Sequence, residues 1–447
     1  MTSRRWLIVI VALVLWGLAT HGTHAGEGDE PHYLAIAHSI AFDFDLEVSN
    51  NYGAREPFLG GGELEPRDHT RQGVDGKLRP IHDVGLPLLY APFARVGVPL
   101  VSWLSTKLSP EIKRRLRVGP PTLYKHFVSA VTVLVTVALA LQLFYALLAA
   151  GVERRSALRW AVLVVLSSPV LVMSVSFFTE VVSAALCFFV FTRLAHDKAR
   201  DAPAWMLCGC ATGLLLLVHA RNAGLVLGLL TLGIWLLVRQ RAVAHLAAFI
   251  AGFAVLFCLR TLINLRFWGT WLTSPHARPG EWEGFAALFA EFGRRAAGMV
   301  IDQEFGLLPY APIYVLVPVG LASLARSNRQ LVATISLVAG AYLFLVLLPL
   351  TNAHGWTGGW SPVARFWVPV IPLLALCVVA AAQRLPRPLV AMLVVLQILI
   401  NAYLWQNPKS AWNDADGTAA ACTRSGATFC RYLPSFVTEP ERQRPAP

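Results

Sequence analysis

The sequence predicts an all-α integral membrane protein, a bundle of about eleven transmembrane helices. Three observations carry that prediction. Apolar residues make up 56% of the 447 positions and charged residues only 14%, whereas soluble domains run near a quarter charged. Apolar stretches of roughly 15 to 25 residues recur along the chain, close to the length a helix needs to cross the hydrocarbon layer. A backbone in lipid must satisfy its own polar groups, so such a chain is read as one helical bundle and not as three soluble domains. The third observation is the placement of charge. The net charge of +12 is scattered over short tracts between apolar segments, which argues against nucleic acid as a partner and for topology determinants.

The first apolar run, Trp6 to Thr20, follows Arg4 and Arg5. It reads as a retained anchor in preference to a cleaved signal peptide, because Thr23-His24-Ala25 makes a poor cleavage site. A mixed-polarity outer loop, 21–125, comes next and carries the early acids. Within it, Gly85 to Leu108 is apolar but interrupted by Pro87, Pro92, Arg95 and Pro99. It is expected to form interfacial helices, with a single span as the alternative. The further spans are expected at 127–152, 158–173, 177–195, 204–218, 223–238, 242–265, 305–325, 331–350, 366–382 and 389–405. A second outer loop, 266–304, separates two of them. The transmembrane domain is thus 1–405, followed by a polar tail, 406–447.

Charge asymmetry orients the bundle. With the N-terminus cytoplasmic, the inner connections hold Arg4, Arg5, Arg154, Arg155, Arg159, Arg193, Lys198, Arg200, Arg239, Arg241, Arg326, Arg329, Arg384 and Arg387. The short outer connections hold only Arg221 and Arg365. That bias places both long loops and the tail outside. An oxidising exterior makes Cys422 and Cys430 a plausible disulfide. The other five cysteines lie in apolar segments and read as core residues, and the Cys208/Cys210 pair lacks the neighbours a metal site needs.

Polar residues expected at the outer boundary are the candidates for chemistry, since ionisable groups near membrane spans are costly. Asp29 and Glu30, in Gly28-Asp29-Glu30-Pro31-His32-Tyr33, either charge the first turn of a helix begun at Pro31 or include a catalytic base. Asp43, Asp45, His82 and Asp83 share the first loop. Glu180 opens a helix, and His219, Arg221 and Asn222 form an outer turn. Arg260, Asn264, Arg266, Asp302, Glu304, His354, Trp356, Trp360 and Arg365 complete the set. Arginine grips phosphate oxygens in a fork, and a carboxylate takes a proton from an attacking hydroxyl. The plain alternatives are snorkelling for Arg260 and Arg266, an aromatic belt for Trp356 and Trp360, a solvated His82, and a structural pair for Glu180. Arg365 stands against the topology rule, which favours function.

Asp29-Glu30-Pro31-His32-Tyr33-Leu34 resembles the Asp-Glu element of the GT-C glycosyltransferases, a superfamily that includes protein mannosyltransferases and lipid A aminoarabinose transferases. Other tracts resemble bacterial family 39-like members in order. They begin at Asp43-Phe44-Asp45-Leu46, Ile81-His82-Asp83-Val84-Gly85-Leu86-Pro87 (with Asp83-Val84 in place of two prolines), Phe178-Thr179-Glu180, Phe305-Gly306-Leu307-Leu308-Pro309, and Gly358-Gly359-Trp360-Ser361-Pro362-Val363-Ala364-Arg365. The resemblance spans residues 1 to about 405 and implies a GT-C-like bundle that draws a sugar from a polyprenyl-phosphate donor. It implies Asp29 as base on the acceptor hydroxyl, with Glu30 in support. His32, Tyr33, His82, Asp83, Glu180 and Arg221 are expected to line the substrate site. Placement adds Arg365, with Arg260 or Arg266, as holders of the phosphate. A divalent cation at Asp29 or Asp83 stays open, since some relatives use one. There is no Gly-rich nucleotide loop.

Two other readings are carried: a transporter or flippase of a lipid-linked glycan, and a non-catalytic membrane assembly partner. Transporters gather polarity at the midplane, often in repeats, and no repeat is visible here. The expected location is a bacterial inner membrane with the catalytic loop and tail periplasmic. Expected partners are the polyprenyl-phosphate sugar, membrane lipid, and a glycan, lipid or protein acceptor.

Overall fold

The computed structural model describes residues 11–13, 16, 28–53, 69–116, 119–196, 201–271, 289, 291–348, 356–359, 361–413, 416–425 and 432–438. These residues form an almost wholly helical protein with two small two-stranded sheets. Seven of the helices are long and apolar enough to cross a membrane: Gly85–Lys107, Pro120–Ala149, Ala220–Arg239, Val243–Trp268, Arg329–Leu347, Arg365–Ala382 and Arg387–Gln406. The Val243–Trp268 and Arg387–Gln406 helices have mean hydropathies of 2.3 and 2.0, yet only 17% of each span is buried. Helices that are apolar all round and still face outward need an apolar solvent, which is the bilayer.

Several expected spans take other forms. Gly85–Lys107 is one continuous helix through Pro92 and Pro99, not several short ones. The apolar stretch 158–173 is split into Arg154–Val165 and Val170–Met173. Ser167-Ser168-Pro169 lies at the break, where proline lacks the amide a helix requires. The stretch 305–325 likewise divides into Leu307–Tyr310, a 3-10 turn at Pro312–Leu316, and Val317–Ser327. Pro309, Pro312 and Pro318 punctuate it. The first anchor falls largely outside the described residues, although Leu13 and Trp16 are fully buried.

Close packing rests on glycine pairs that a hydropathy reading passes over. In the Ala202–Val218 helix, Gly209 and Gly213 are four residues apart and face the Val243–Trp268 helix. A Cβ at Gly209 would lie 2.0 Å from the Phe249 carbonyl oxygen, and one at Gly213 2.8 Å from that of Phe253. Gly224 and Gly228 repeat the spacing against Ala341 and Val338. Between helices in lipid, close backbone approach replaces the hydrophobic drive that water supplies. Gly209→Ala is therefore expected to lower stability in detergent by about 1–3 kcal/mol through overpacking. Gly340→Ala has nothing within 4 Å of the new methyl and should be neutral or stabilising by up to about 1 kcal/mol. Thermal unfolding of the two variants side by side checks the contrast.

The extramembrane pieces are short. The Glu30–His38 helix runs into a π-turn at Ser39–Asp43. Strand Thr70–Gln72 pairs antiparallel with Leu78–Pro80, closed by a turn containing Asp75 and Gly76, where Gly76 has φ +75°. The hairpin packs on the end of the Val243–Trp268 helix: the Val74 amide donates to the Phe267 carbonyl at 2.8 Å, and Arg79 sits 4.3 Å over the Phe267 ring. At the other end of the chain, strand Ser361–Pro362 pairs with Trp412–Asn413.

Candidate active site

Four charged side chains converge from four separate elements. Asp29 immediately precedes the Glu30–His38 helix, and Glu180 lies in the first turn of the Thr179–His196 helix, where the helix dipole favours an acid. Arg221 sits in the 3-10 turn Ala220–Asn222. Arg365 opens the 3-10 segment Arg365–Val370, just after Ala364 turns the chain with φ 50°. The Arg365 Nε donates to Glu180 Oε1 at 3.0 Å, and its Nη2 donates to Asp29 Oδ2 at 3.3 Å. Arg221 Nη2 reaches the same Glu180 oxygen at 3.2 Å. Phe366 lies 4.1 Å from the Arg221 guanidinium and 5.1 Å from that of Arg365, and Phe178 covers Arg365 at 5.1 Å. Two arginines thus balance two acids in an apolar surround.

Exposure separates the members. The side chains of Glu180, Arg221 and Arg365 are 1%, 4% and 5% exposed, whereas that of Asp29 is 26% exposed. The acid open to an incoming molecule is therefore the one held by a buried arginine. Asp29 makes no side-chain cap bond to its own helix, and its Oδ2 accepts from Arg365 instead. Glu30 is buried, and its Oε1 accepts from the Phe177 amide at 3.0 Å. That bond ties the Glu30–His38 helix to the chain entering the Glu180 helix.

Asp83 forms a second, adjoining group. Its Oδ2 accepts from the Ala220 amide at 2.6 Å, and its Oδ1 lies 3.6 Å from Arg260 Nη2. His219 is 3.8 Å from Asp83, but its Nδ1 accepts from the Arg221 amide at 3.0 Å. A ring nitrogen that accepts carries no proton, so this contact is not an ion pair through Nδ1. The Ala220–Asn222 turn consequently anchors on Asp83 while presenting Arg221 to Glu180. Asn222 steadies the turn by donating to Ser183 Oγ at 2.8 Å and to the Leu215 carbonyl at 2.9 Å.

Other expected site residues go elsewhere. Arg266 is 66% exposed and lies 3.5 Å from Asp75 in the hairpin, so it does not join the buried cluster. Asp75 also takes Arg79, whose hydrogen bond holds its carboxyl down at about 2. Asp302 and Glu304 clasp the tail. Asp302 Oδ2 accepts from the Phe436 amide at 2.6 Å, and Glu304 Oε2 accepts from that of Gly417 at 3.0 Å. Trp356 is not a belt residue: it is 1% exposed and packs edge-on against Phe305 with ring centroids 6.0 Å apart. Asp43 receives Asn50 and Asn51, both at 3.1 Å, and so pins its own loop. Cys422 is disulfide-bonded, while Cys187, Cys208, Cys210, Cys258 and Cys377 are free. Cys430, His354 and Trp360 lie outside the described residues.

Beside His32 and His82 the sequence reading missed His69. It stacks on His32 with ring centroids 3.4 Å apart, and its Nδ1 lies 2.9 Å from His82 Nε2. The signal was the hairpin: the Thr70↔Pro80 register brings the segment before one strand beside the segment after the other. Burial, with His69 alongside, lowers the His32 pKa to about 3 against the opposing pull of Asp29, so this ring is neutral at pH 7. Burial and the neighbouring acids push the Tyr33 phenol well above its ordinary range. Among the described residues, the group of three or more potential metal ligands is His32, His69 and His82. Asp29 and Asp83 belong to no such group there.

An apolar cavity of about 460 Å³, lined in part by Leu163, Leu166, Ile398 and Trp405, touches none of these residues.

The chain is similar to ArnT. The crystal structure of ArnT from Cupriavidus metallidurans bound to undecaprenyl phosphate matches with 14% identity and a TM-score of 0.49, covering 96% of this chain and 69% of that one. No protein-family model and no curated protein sequence matches the chain.

Proposed function

We propose that this chain transfers a sugar from a polyprenyl-phosphate-linked donor to an acceptor hydroxyl, with Asp29 as the general base. One observation carries the reading: Asp29 is the partly exposed acid of a buried, charge-balanced network and is held by Arg365 at 3.3 Å. The motif resemblance of Asp29-Glu30 supports it independently. In the reaction, the acceptor hydroxyl gives its proton to the Asp29 carboxylate as its oxygen bonds to the anomeric carbon. The bond between that carbon and the phosphate oxygen breaks, and the lipid phosphate departs with the electron pair. Positive groups placed where that charge develops lower the barrier.

Arg365 and Arg221 are the groups for this role. Arg221 Nη1 has no hydrogen-bond partner among the described residues, which leaves a donor for a phosphate oxygen. A phosphate that competes for Arg365 would also release Asp29 to work as base, so donor binding and base activation are coupled. Glu30, through the Phe177 amide, positions the helix that follows Asp29. Tyr33 and His82 pack against each other with ring centroids 5.1 Å apart, and Asp83 with Arg260 holds the Arg221 turn. Arg266 has no part in this mechanism. The reaction would take place on the outer face of a bacterial inner membrane, a location that the charge asymmetry of the sequence supports.

The test is transfer in membranes supplied with a radiolabelled polyprenyl-phosphate sugar and extracts as acceptor source. Loss of transfer in Asp29→Asn, with normal insertion, supports the reading. Full transfer in that variant overturns it and returns the weight to transport or an assembly role.

A further inference from the structure

We propose that His32, His69 and His82 form a binding site for a divalent transition-metal ion of the zinc class. The site ties the first extramembrane hairpin to the helix that follows Asp29. This proposal stands apart from sugar transfer and would hold whatever the chain catalyses.

The three imidazoles each offer a nitrogen, and those nitrogens all lie within 4.8 Å of one another. They come from three places in the chain: His32 from the Glu30–His38 helix, His69 from just before the first hairpin strand, and His82 from just after the second. Two imidazole nitrogens on one tetrahedral zinc at 2.0–2.1 Å stand roughly 3.4 Å apart. His69 Nδ1 and His82 Nε2 are hydrogen-bonded at 2.9 Å, so an ion between them parts that pair slightly while the third nitrogen moves inward. The His32 and His69 rings stack face to face, with centroids 3.4 Å apart and 13° between their planes. An imidazole lone pair lies in its ring plane, so ion binding requires the His32 ring to turn out of that stack until its lone pair converges with those of His69 and His82. His32 and His82 are 5% and 3% exposed, so the site is sheltered from competing water.

The surroundings also resemble a built site. His32 Nδ1 lies 2.7 Å from the Tyr52 hydroxyl. A partner on one ring nitrogen fixes the tautomer and the ring's orientation, leaving Nε2 for the ion; metal-bound histidines are supported in this way. The all-imidazole donor set selects the ion: it suits zinc, copper, nickel or iron and disfavours magnesium and calcium, which take oxygen ligands. The three histidines leave a fourth position open for water or a carboxylate.

The test uses the full chain purified in detergent, without sugar donor or acceptor. The protein is stripped with EDTA, dialysed against zinc, and its metal content measured. The cobalt-substituted form is examined for the visible bands of a four-coordinate ion. One bound equivalent is expected in the native protein. His69→Gln should lose most of it, and Tyr52→Phe should weaken binding about 10- to 100-fold, as removing such a support does elsewhere. Zinc should raise the unfolding temperature of the native protein but not that of His69→Gln. If His69→Gln fails to fold, the native titration and Tyr52→Phe still decide. Absence of zinc from the native protein, or an undiminished equivalent in His69→Gln, overturns the proposal and leaves the sugar-transfer reading untouched.

Discussion

Asp29→Asn is expected to reduce sugar transfer by about 10²- to 10⁴-fold, the usual contribution of a positioned general base, while the protein inserts and folds normally. Asparagine keeps the size of aspartate, and its carbonyl can still accept the Arg365 Nη2 hydrogen bond seen at 3.3 Å. What it loses is the ability to take a proton. Asp29 is also the least buried member of its cluster, at 26% exposure, so removing its charge leaves Arg365 with Glu180 as its partner and costs little stability. Glu30→Gln is the matched control. Glu30 is 1% exposed and its Oε1 accepts from the Phe177 amide, a bond that glutamine can replace through its own carbonyl. Transfer assays with a radiolabelled donor should separate the two: Asp29→Asn near background, Glu30→Gln within about tenfold of the native rate. Equal losses in both would mean that the pair acts as a structural unit and would remove the argument for Asp29 as base.

The sequence made the helical class and the acid–arginine set legible because both depend on composition and local placement. Apolar length announces a span, and an isolated arginine such as Arg365 in a short connection stands out against its surroundings. Pairing is another matter. Nothing in the local sequence says that Arg365 meets Glu180, 185 positions away in the chain, or that Arg260 meets Asp83 in preference to a phosphate. Asp302 and Glu304 looked like site acids and instead hold the tail, because an acid near a span reads alike whether its partner is a backbone amide or a substrate. The broken segments at 158–173 and 305–325 followed from prolines that a hydropathy window averages away. His69 was passed over because its importance comes from the hairpin register and not from its neighbours in sequence. The glycine pairs at Gly209 with Gly213 and Gly224 with Gly228 were readable in principle, since their spacing of four residues is the one that lets helix backbones approach.

Glu180→Gln is expected to be the most destabilising of the conservative changes at the site, by about 3–5 kcal/mol, the cost of breaking a buried ion pair from one side. Glu180 Oε1 receives both Arg365 Nε at 3.0 Å and Arg221 Nη2 at 3.2 Å. Removing its charge leaves Arg221, 4% exposed, with no carboxylate against it among the ion pairs described. Arg365 fares better because it retains Asp29. The asymmetry gives a specific rescue: in the Glu180→Gln background, Arg221→Met removes the stranded charge and should recover more than half of the lost stability. Methionine fills the space and keeps contact with Phe366, over which Arg221 now lies at 4.1 Å. Arg365→Met in the same background should recover less, since it strands Asp29 instead. Unfolding in detergent of the native protein, the three single variants Glu180→Gln, Arg221→Met and Arg365→Met, and both doubles forms two double-mutant cycles that share Glu180→Gln. Equal rescue by the two arginine changes would show that the charges are shared across the whole cluster and not divided between Arg221 and Arg365. On the proposed role of Arg221 as a donor to the departing phosphate, the rescued protein should be stable and still inactive, which separates the network's part in folding from its part in transfer.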